Sequence, residues 1–349
     1  MNRQPVERQP FHHPRVRPAW LAMLTEAVLE PELPIIDPHH HLLKARPDRF
    51  LLEDLVADLQ TGHNVLATVF IQCGSEYFAH GLVDLRPVGE TVFVAEAAQQ
   101  CETGRFGALR ACAGIVGHAD CKLGDRIDPV LEAHIAAGGG RFKGIRHSGT
   151  FDPAIEPTAP PGAPPGLYRE PRFKAGFARL AKFGLTFEAW LYHPQLSDLI
   201  DLMRGAPDQK VVLNHLGGPL GVGPYAGARA DVFDRWRSSM RELAKFPALH
   251  VKLGGLAMNV NGFGWHHQVL PPSSGEMANA WRPYVETAIE YFGVDRCMFE
   301  SNFPVDKGMC SYPVLWNAFK RLAARCSADE KAALFHRTAQ RFYSLPPVA

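Results

Sequence analysis

The stretch Pro34-Ile35-Ile36-Asp37-Pro38-His39-His40-His41 is a short apolar run that ends in polar, chemistry-bearing side chains, and the same pattern recurs along the chain. Seven further runs read as strands: 64–73 (NVLATVFIQC), 110–119 (RACAGIVGHA), 142–148 (FKGIRHS), 185–191 (LTFEAWL), 210–217 (KVVLNHLG), 248–255 (ALHVKLGG) and 296–303 (RCMFESNF). Several are apolar on both faces, as parallel strands covered by helices must be. Helical periodicity lies between them, for instance Phe173, Phe177 and Leu180, stopped by Gly184 ahead of the fifth run. Eight such β/α alternations predict a distorted (β/α)8 TIM barrel over residues 34–349, with residues 1–33 as an N-terminal arm outside it. A doubly wound sheet is the runner-up.

Composition narrows the function classes. The 349 residues are 46% hydrophobic, with 37 basic and 36 acidic side chains and a formal net charge of +1. No long run of either sign occurs, so neither nucleic acid nor a membrane surface is an expected partner. The seven cysteines include no C-x-x-C pair, so a disulfide framework or zinc ribbon is not indicated and a reducing cytoplasm is the expected compartment. The N-terminal residues Met1 to Arg17 are polar, and no stretch approaches the roughly 18 apolar residues that a membrane span requires.

In a barrel, chemistry collects at the C-terminal ends of the strands and in the loops that follow. Strand alternation would put Asp37, His39 and His41 on one side of the first run. Two imidazoles and a carboxylate there suit either a divalent-metal site or a metal-free acid/base cluster. On the sixth run Val211, Leu213 and His215 would share a face, adding a third histidine. On the eighth, Met298, Glu300 and Asn302 would do so, with Asp306 in the loop beyond; on the fifth, Thr186, Glu188 and Trp190. Glu300, Glu188 and Asp306 are therefore candidate bases for activating water.

Arg146, His147 and Lys252 bring cationic groups to the mouth, and arginine's planar fork matches a carboxylate. Strict alternation cannot turn both Arg146 and His147 inward. The loops at 217–227 and 258–274 offer Tyr225, Trp265 and His266 as substrate contacts, and the Pro-rich segment 152–166 reads as a plain surface connection or a stiff flap. Cys73 and Cys297 read as small core residues.

Together, Asp37-Pro38-His39-His40-His41, Gly144-Ile145-Arg146-His147, Asn214-His215-Leu216-Gly217-Gly218-Pro219, Val251-Lys252-Leu253-Gly254-Gly255-Leu256 and Met298-Phe299-Glu300-Ser301-Asn302-Phe303-Pro304 resemble the amidohydrolase-2 group of the amidohydrolase superfamily. Within it the pattern is most similar to the sugar-lactone and 2-pyrone-4,6-dicarboxylate lactonase branch. The resemblance implies a distorted TIM barrel and a catabolic hydrolase that opens the cyclic ester of a small anionic lactone. It also implies one divalent ion, zinc in the first instance, on His39, His41 and His215; some relatives instead work without metal, histidines and an arginine polarising the carbonyl. Partners are then a small anionic substrate and, for assembly, copies of the same chain. A metal-dependent decarboxylase of the superfamily and a non-catalytic ligand-binding barrel are the alternatives. One position departs from the family: Ser301-Asn302-Phe303-Pro304 stands where Ser-Asp-Trp-Pro is usual, and an amide cannot take up a proton at neutral pH.

Overall fold

A computed structural model describes residues 13–44, 49–155 and 162–347. Eight strands form one parallel sheet in sequential order: β1 (Ile35–His40), β2 (Val65–Ile71), β3 (Arg110–Gly117), β4 (Phe142–Arg146), β5 (Thr186–Ala189), β6 (Val211–Leu213), β7 (Leu249–Leu253) and β8 (Cys297–Phe299). The barrel closes just past β8, where Asn302 N–H donates to His39 O (2.9 Å) and His41 N–H to Phe303 O (2.8 Å). Helices between the strands, among them Val88–Glu102, Arg229–Leu243 and Ser274–Phe292, form the outer layer. All eight expected strands are present, so the barrel reading holds and the doubly wound alternative falls.

The strands are shorter than expected at their C-terminal ends. There the chain leaves the sheet through left-handed residues, His215 and Leu216 at φ 53° and Asn302 at φ 56°, conformations that interrupt pairing. The central part of the Pro-rich 152–166 segment lies outside the described residues.

Two apolar layers sit on opposite faces of the sheet. Ile35, Phe70, Phe187, Val211, Leu213, Leu253 and Phe299 pack outward against the helices. Ile36, Ala67, Val69, Ile71, Val116, Val212 and Met298 face the barrel interior, where they meet Ala339, Phe342, Tyr343 and Leu345. The C-terminal segment thus plugs the end of the barrel opposite the strand C-termini, and the interior apolar layer ends where polar side chains begin.

Residues 27–30, ahead of β1, are tied to an outer helix. Asn317, on the helix Tyr312–Leu322, accepts from Leu29 N–H and donates to Ala27 O, both at 2.9 Å. Lys320, on the same helix and only 2% exposed, donates to Leu29 O (2.7 Å), Glu30 O (2.8 Å) and His63 Nδ1 (2.9 Å). Burial lowers its pKa to about 8. Lys320→Met removes the donor to one buried and two partly buried acceptors, so it should cost about 1–3 kcal/mol and raise amide exchange in residues 22–33. Unchanged urea unfolding and exchange would show that the arm is held elsewhere.

Candidate active site

The polar cluster stands on the apolar floor of the barrel. Its deepest member is Glu188, inward on β5. Its carboxylate accepts from Tyr343 Oη and Asn214 Nδ2 and pairs with Lys252 Nζ at 2.8 Å. Lys252 is fully buried; it also donates to Pro38 O (2.8 Å) and lies 3.2 Å from His39 Nδ1 and 3.9 Å from Glu300 Oε2.

Above them the Glu300 carboxylate bridges two imidazoles. Oε2 lies 2.7 Å from His39 Nδ1, and Oε1 lies 2.7 Å from His215 Nδ1 and also accepts the His215 backbone N–H at 3.1 Å. Arg146 covers the other side of His39, with NH1 3.3 Å from Nε2, while its Nε donates to Gln72 Oε1 (3.0 Å) and NH2 to Gln72 O. His41 donates from Nδ1 to Ile71 O at 2.7 Å. Trp190 sets its ring edge-on to His215, centroids 4.6 Å apart. Burial holds His39 and His41 well below the ordinary imidazole range, reinforced by Lys252 around His39 and by Arg146 around His41. His215 is also lowered by burial, but Glu300 opposes the shift.

Local backbone explains how these side chains arrive. Pairing of β1 with β2 is irregular between Asp37 and His40, at Pro38, which has no N–H to give. The irregularity reverses the alternation. Asp37 turns outward to accept from Tyr312 Oη (3.0 Å) and Ser301 N–H (3.0 Å), His39 turns inward, and His40 turns outward to Thr68 Oγ1 (2.8 Å). Asp37 therefore does not join the two imidazoles, contrary to the alternation argument.

On β6 the expected face is also reversed, since Val211 and Leu213 point to the helices and Val212 points inward. His215 reaches the cluster through its left-handed turn, not through strand alternation. The glycines after β7 make room for it. A Cβ on Gly254 would overlap Glu300, and one on Gly255, at φ 66°, would overlap the His215 ring. Leu253-Gly254-Gly255 was the available signal for this crossing.

The remaining candidates are dispersed. Asn302 donates from Nδ2 to Asp306 Oδ1 (2.8 Å), and Ala257 N–H donates to Asp306 Oδ2 (3.1 Å), so these two side chains brace the exit loop of β8. Burial pushes Asp306 well above the usual carboxylate range. An amide at 302 suits this pair, because Asp there would set one buried carboxyl against another. His147 lies outward, accepting from Cys121 N–H (3.2 Å) and packing on Phe173; alternation permits only Arg146 inside. Tyr225 donates to Asp152 Oδ2 (2.8 Å) beside an apolar cluster that includes Trp190. Trp265 is buried against Phe263 and Trp281, and the His266 carbonyl accepts from Arg17.

Ligand atoms of His39, His215 and Glu300 lie within 4.8 Å of one another, the donor composition of a divalent-metal site. The expected ligand His41 is not in that set. The charges around it oppose a cation: Lys252 stands 3.2 Å from His39 Nδ1, and Arg146 stands against Nε2 of the same ring. Two like unit charges about 4 Å apart repel by about 4 kcal/mol at an effective dielectric near 20, and a divalent ion doubles that. As they stand, these residues do not fit the ion, and no catalytic step is derived through one.

A family model described as Amidohydrolase matches residues 36–345. The chain belongs to the amidohydrolase family. This amidohydrolase is 33% identical over 334 residues, 89% of this chain and 99% of the other, to the protein y4mH of Sinorhizobium fredii (strain NBRC 101917 / NGR234). It is 27% identical to a protein of Burkholderia multivorans (strain ATCC 17616 / 249) named L-fucono-1,5-lactonase, over 74% of this chain and 78% of that one. Among solved structures, a zinc-bound amidohydrolase from Burkholderia multivorans superposes with a TM-score of 0.68 at 25% identity, covering 89% of this chain and 99% of its own. Among the described residues no helix is long and apolar enough to cross a membrane.

One residue that sequence reasoning passed over is Glu90. It is buried beside the Gln72–Arg146 pair, and its Oε1 accepts from Cys73 N–H (3.0 Å) and Ser75 N–H (2.8 Å). Oε2 has no hydrogen-bond partner among the described residues. Burial raises the pKa from 4.5 to about 7, against the pull of those N–H groups. A folded value above the unfolded one means stability that is fully present below pH 4.5 and lost as pH rises through 7, about 3 kcal/mol in all. Glu90→Gln stays neutral, so its unfolding free energy should lack that loss, and the variant should overtake wild type at pH 8. Parallel urea titrations of both proteins at pH 5 and pH 8 with no change in their difference would remove Glu90 as the responsible group.

Proposed function

We propose that this amidohydrolase opens the cyclic ester of a small carboxylated lactone, with Arg146 as the group that receives the substrate. The observation that carries this reading is the state of Arg146. A guanidinium has five N–H donors, and three are committed to Gln72 and His39. The two that remain, on NH1 and NH2, make a fork suited to two acceptor oxygens. Arg146 is only 8% exposed, so a charge-assisted contact there is strong.

A lactone carbonyl or carboxylate held on the fork would stand beside three imidazoles whose environment disfavours protonation. Such groups can accept a proton from water as it attacks and return it to the ring oxygen as the ester bond breaks. The guanidinium would stabilise the oxyanion that forms between these steps. The product is a hydroxy acid. Similarity to proteins named lactonases supports the choice of ester over other hydrolysable bonds.

A panel of sugar-acid lactones and unsaturated six-membered lactones bearing a carboxylate, assayed by proton release, tests the reaction class. Hydrolysis without CO2 supports it, whereas CO2 release from an aromatic acid would establish the decarboxylase alternative. Arg146→Lys keeps the charge but loses the fork, and should lower kcat/KM by about ten- to a hundredfold, about 1.4–2.7 kcal/mol. Unchanged kinetics would remove Arg146 from the site.

A further inference from the structure

We propose that Glu90 is a positioning residue for Arg146, acting through the peptide unit between Gln72 and Cys73, and that its neighbour Thr91 holds the same arginine from the backbone side. This rests on the reading above, in which Arg146 receives the substrate, and names what fixes the fork.

A peptide unit is planar and trans, so its N–H and its C=O point in opposite directions. Between Gln72 and Cys73 both ends are taken. The Cys73 N–H donates to Glu90 Oε1 at 3.0 Å, and the Gln72 carbonyl accepts from Arg146 NH2. Glu90 and Arg146 therefore hold one rigid unit from its two edges, and its orientation sets where the guanidinium lies. Gln72 Oε1 also accepts from Arg146 Nε at 3.0 Å. An acceptor on the N–H strengthens the carbonyl as an acceptor in turn, because hydrogen bonds in a chain polarise one another.

The sheet fixes the chain only as far as Gln72, whose N–H donates to Val116 O at 2.8 Å. Beyond it the loop turns through left-handed residues, Gly74 at φ 83° and Glu76 at φ 56°. Glu90 Oε1 accepts a second bond there, from Ser75 N–H at 2.8 Å. One oxygen thus ties down the first and third residues past Gln72. The helix Val88–Glu102 comes this close because residue 89 is glycine: a Cβ there would stand 2.5 Å from Glu76 O and 2.7 Å from Phe78 N. Packing alone does not call for a carboxyl at 90, since Oε2 has no hydrogen-bond partner among the described residues.

Thr91 reaches the other end of the same arginine. Arg146 O accepts from His118 Nδ1 (3.0 Å), and His118 O accepts from His134 Nε2 (2.9 Å). The second ring nitrogen of His134, Nδ1, lies 2.8 Å from Thr91 Oγ1. Each carbonyl requires a ring N–H, so His134 Nδ1 accepts and the Thr91 hydroxyl donates. Burial lowers His134 to about 4, which leaves the ring neutral for that role. Adjacent residues of one helical turn thus hold the guanidinium and the backbone carbonyl of Arg146 by separate routes.

Three variants test the assignment. Glu90→Met keeps the length and removes both oxygens, Glu90→Gln keeps an accepting oxygen, and Thr91→Val keeps the shape and removes the hydroxyl. Nitrogen-15 NMR of the resting proteins follows Arg146 Nε–H without any substrate. Its exchange with water should be about tenfold faster in Glu90→Met and about threefold faster in Thr91→Val, and near the wild-type rate in Glu90→Gln. For the lactone that wild type opens, Glu90→Met should lower kcat/KM by about tenfold, and Glu90→Gln should recover most of that loss. Glu90→Met combined with Arg146→Lys should lose no more than Arg146→Lys alone, because both changes act through one fork. Wild-type exchange at Arg146 in Glu90→Met, or losses that add in the double variant, overturns the proposal. If Glu90→Met does not fold, wild-type exchange in Thr91→Val overturns it. Faster exchange in the variants with no lactone opened by wild type leaves the positioning in place and counts against the hydrolytic reading instead.

Discussion

The Glu300 carboxylate, shared between His39 and His215, is the interaction on which the site depends. A buried carboxylate is costly unless it is hydrogen-bonded and balanced by charge. The His215 imidazole and backbone N–H groups supply the bonds to one oxygen, and His39 Nδ1 lies 2.7 Å from the other. The balance comes from below, where Lys252 stands between Glu188 and Glu300. Arg146, Lys252, Glu188 and Glu300 together carry two charges of each sign, and neutral imidazoles complete the set. Adding a cation would break a balance that the chain has already closed with its own side chains.

The barrel makes that arrangement affordable. Its interior is apolar up to the level of Val212 and Met298, and the C-terminal segment seals the far end with Phe342, Tyr343 and Leu345. Tyr343 belongs to both layers: its ring joins the plug and its hydroxyl donates to Glu188. Stability and chemistry are coupled through this residue, because loosening the plug exposes the lowest member of the polar network to water.

Most of the fold was legible, since eight apolar runs separated by helical periodicity admit few architectures. The site was legible in residue type more than in direction. Glu188, Lys252 and Glu300 point inward by simple alternation, as expected. His39 and His215 are inward for reasons alternation does not contain, a pairing irregularity at Pro38 and a left-handed turn after Leu213. The same irregularity sends Asp37 outward. The departure at Asn302 has a local physical reason in its bond to Asp306, which no spacing rule announces. Glu90 went unnoticed because a lone Glu in a helical stretch looks like surface until its burial is known. The plug, too, follows from long-range packing that periodicity does not encode.

We propose that in the lactone-opening reaction this chain's own charges do the work a metal ion would otherwise do. It is tested most directly by stripping the purified protein with a strong chelator, measuring residual metal by mass spectrometry, and following lactone opening in the stripped and zinc-reloaded forms. The account predicts full turnover with far less than one metal ion per chain and no gain on adding zinc. Turnover that vanishes on stripping and returns in proportion to bound zinc would contradict it.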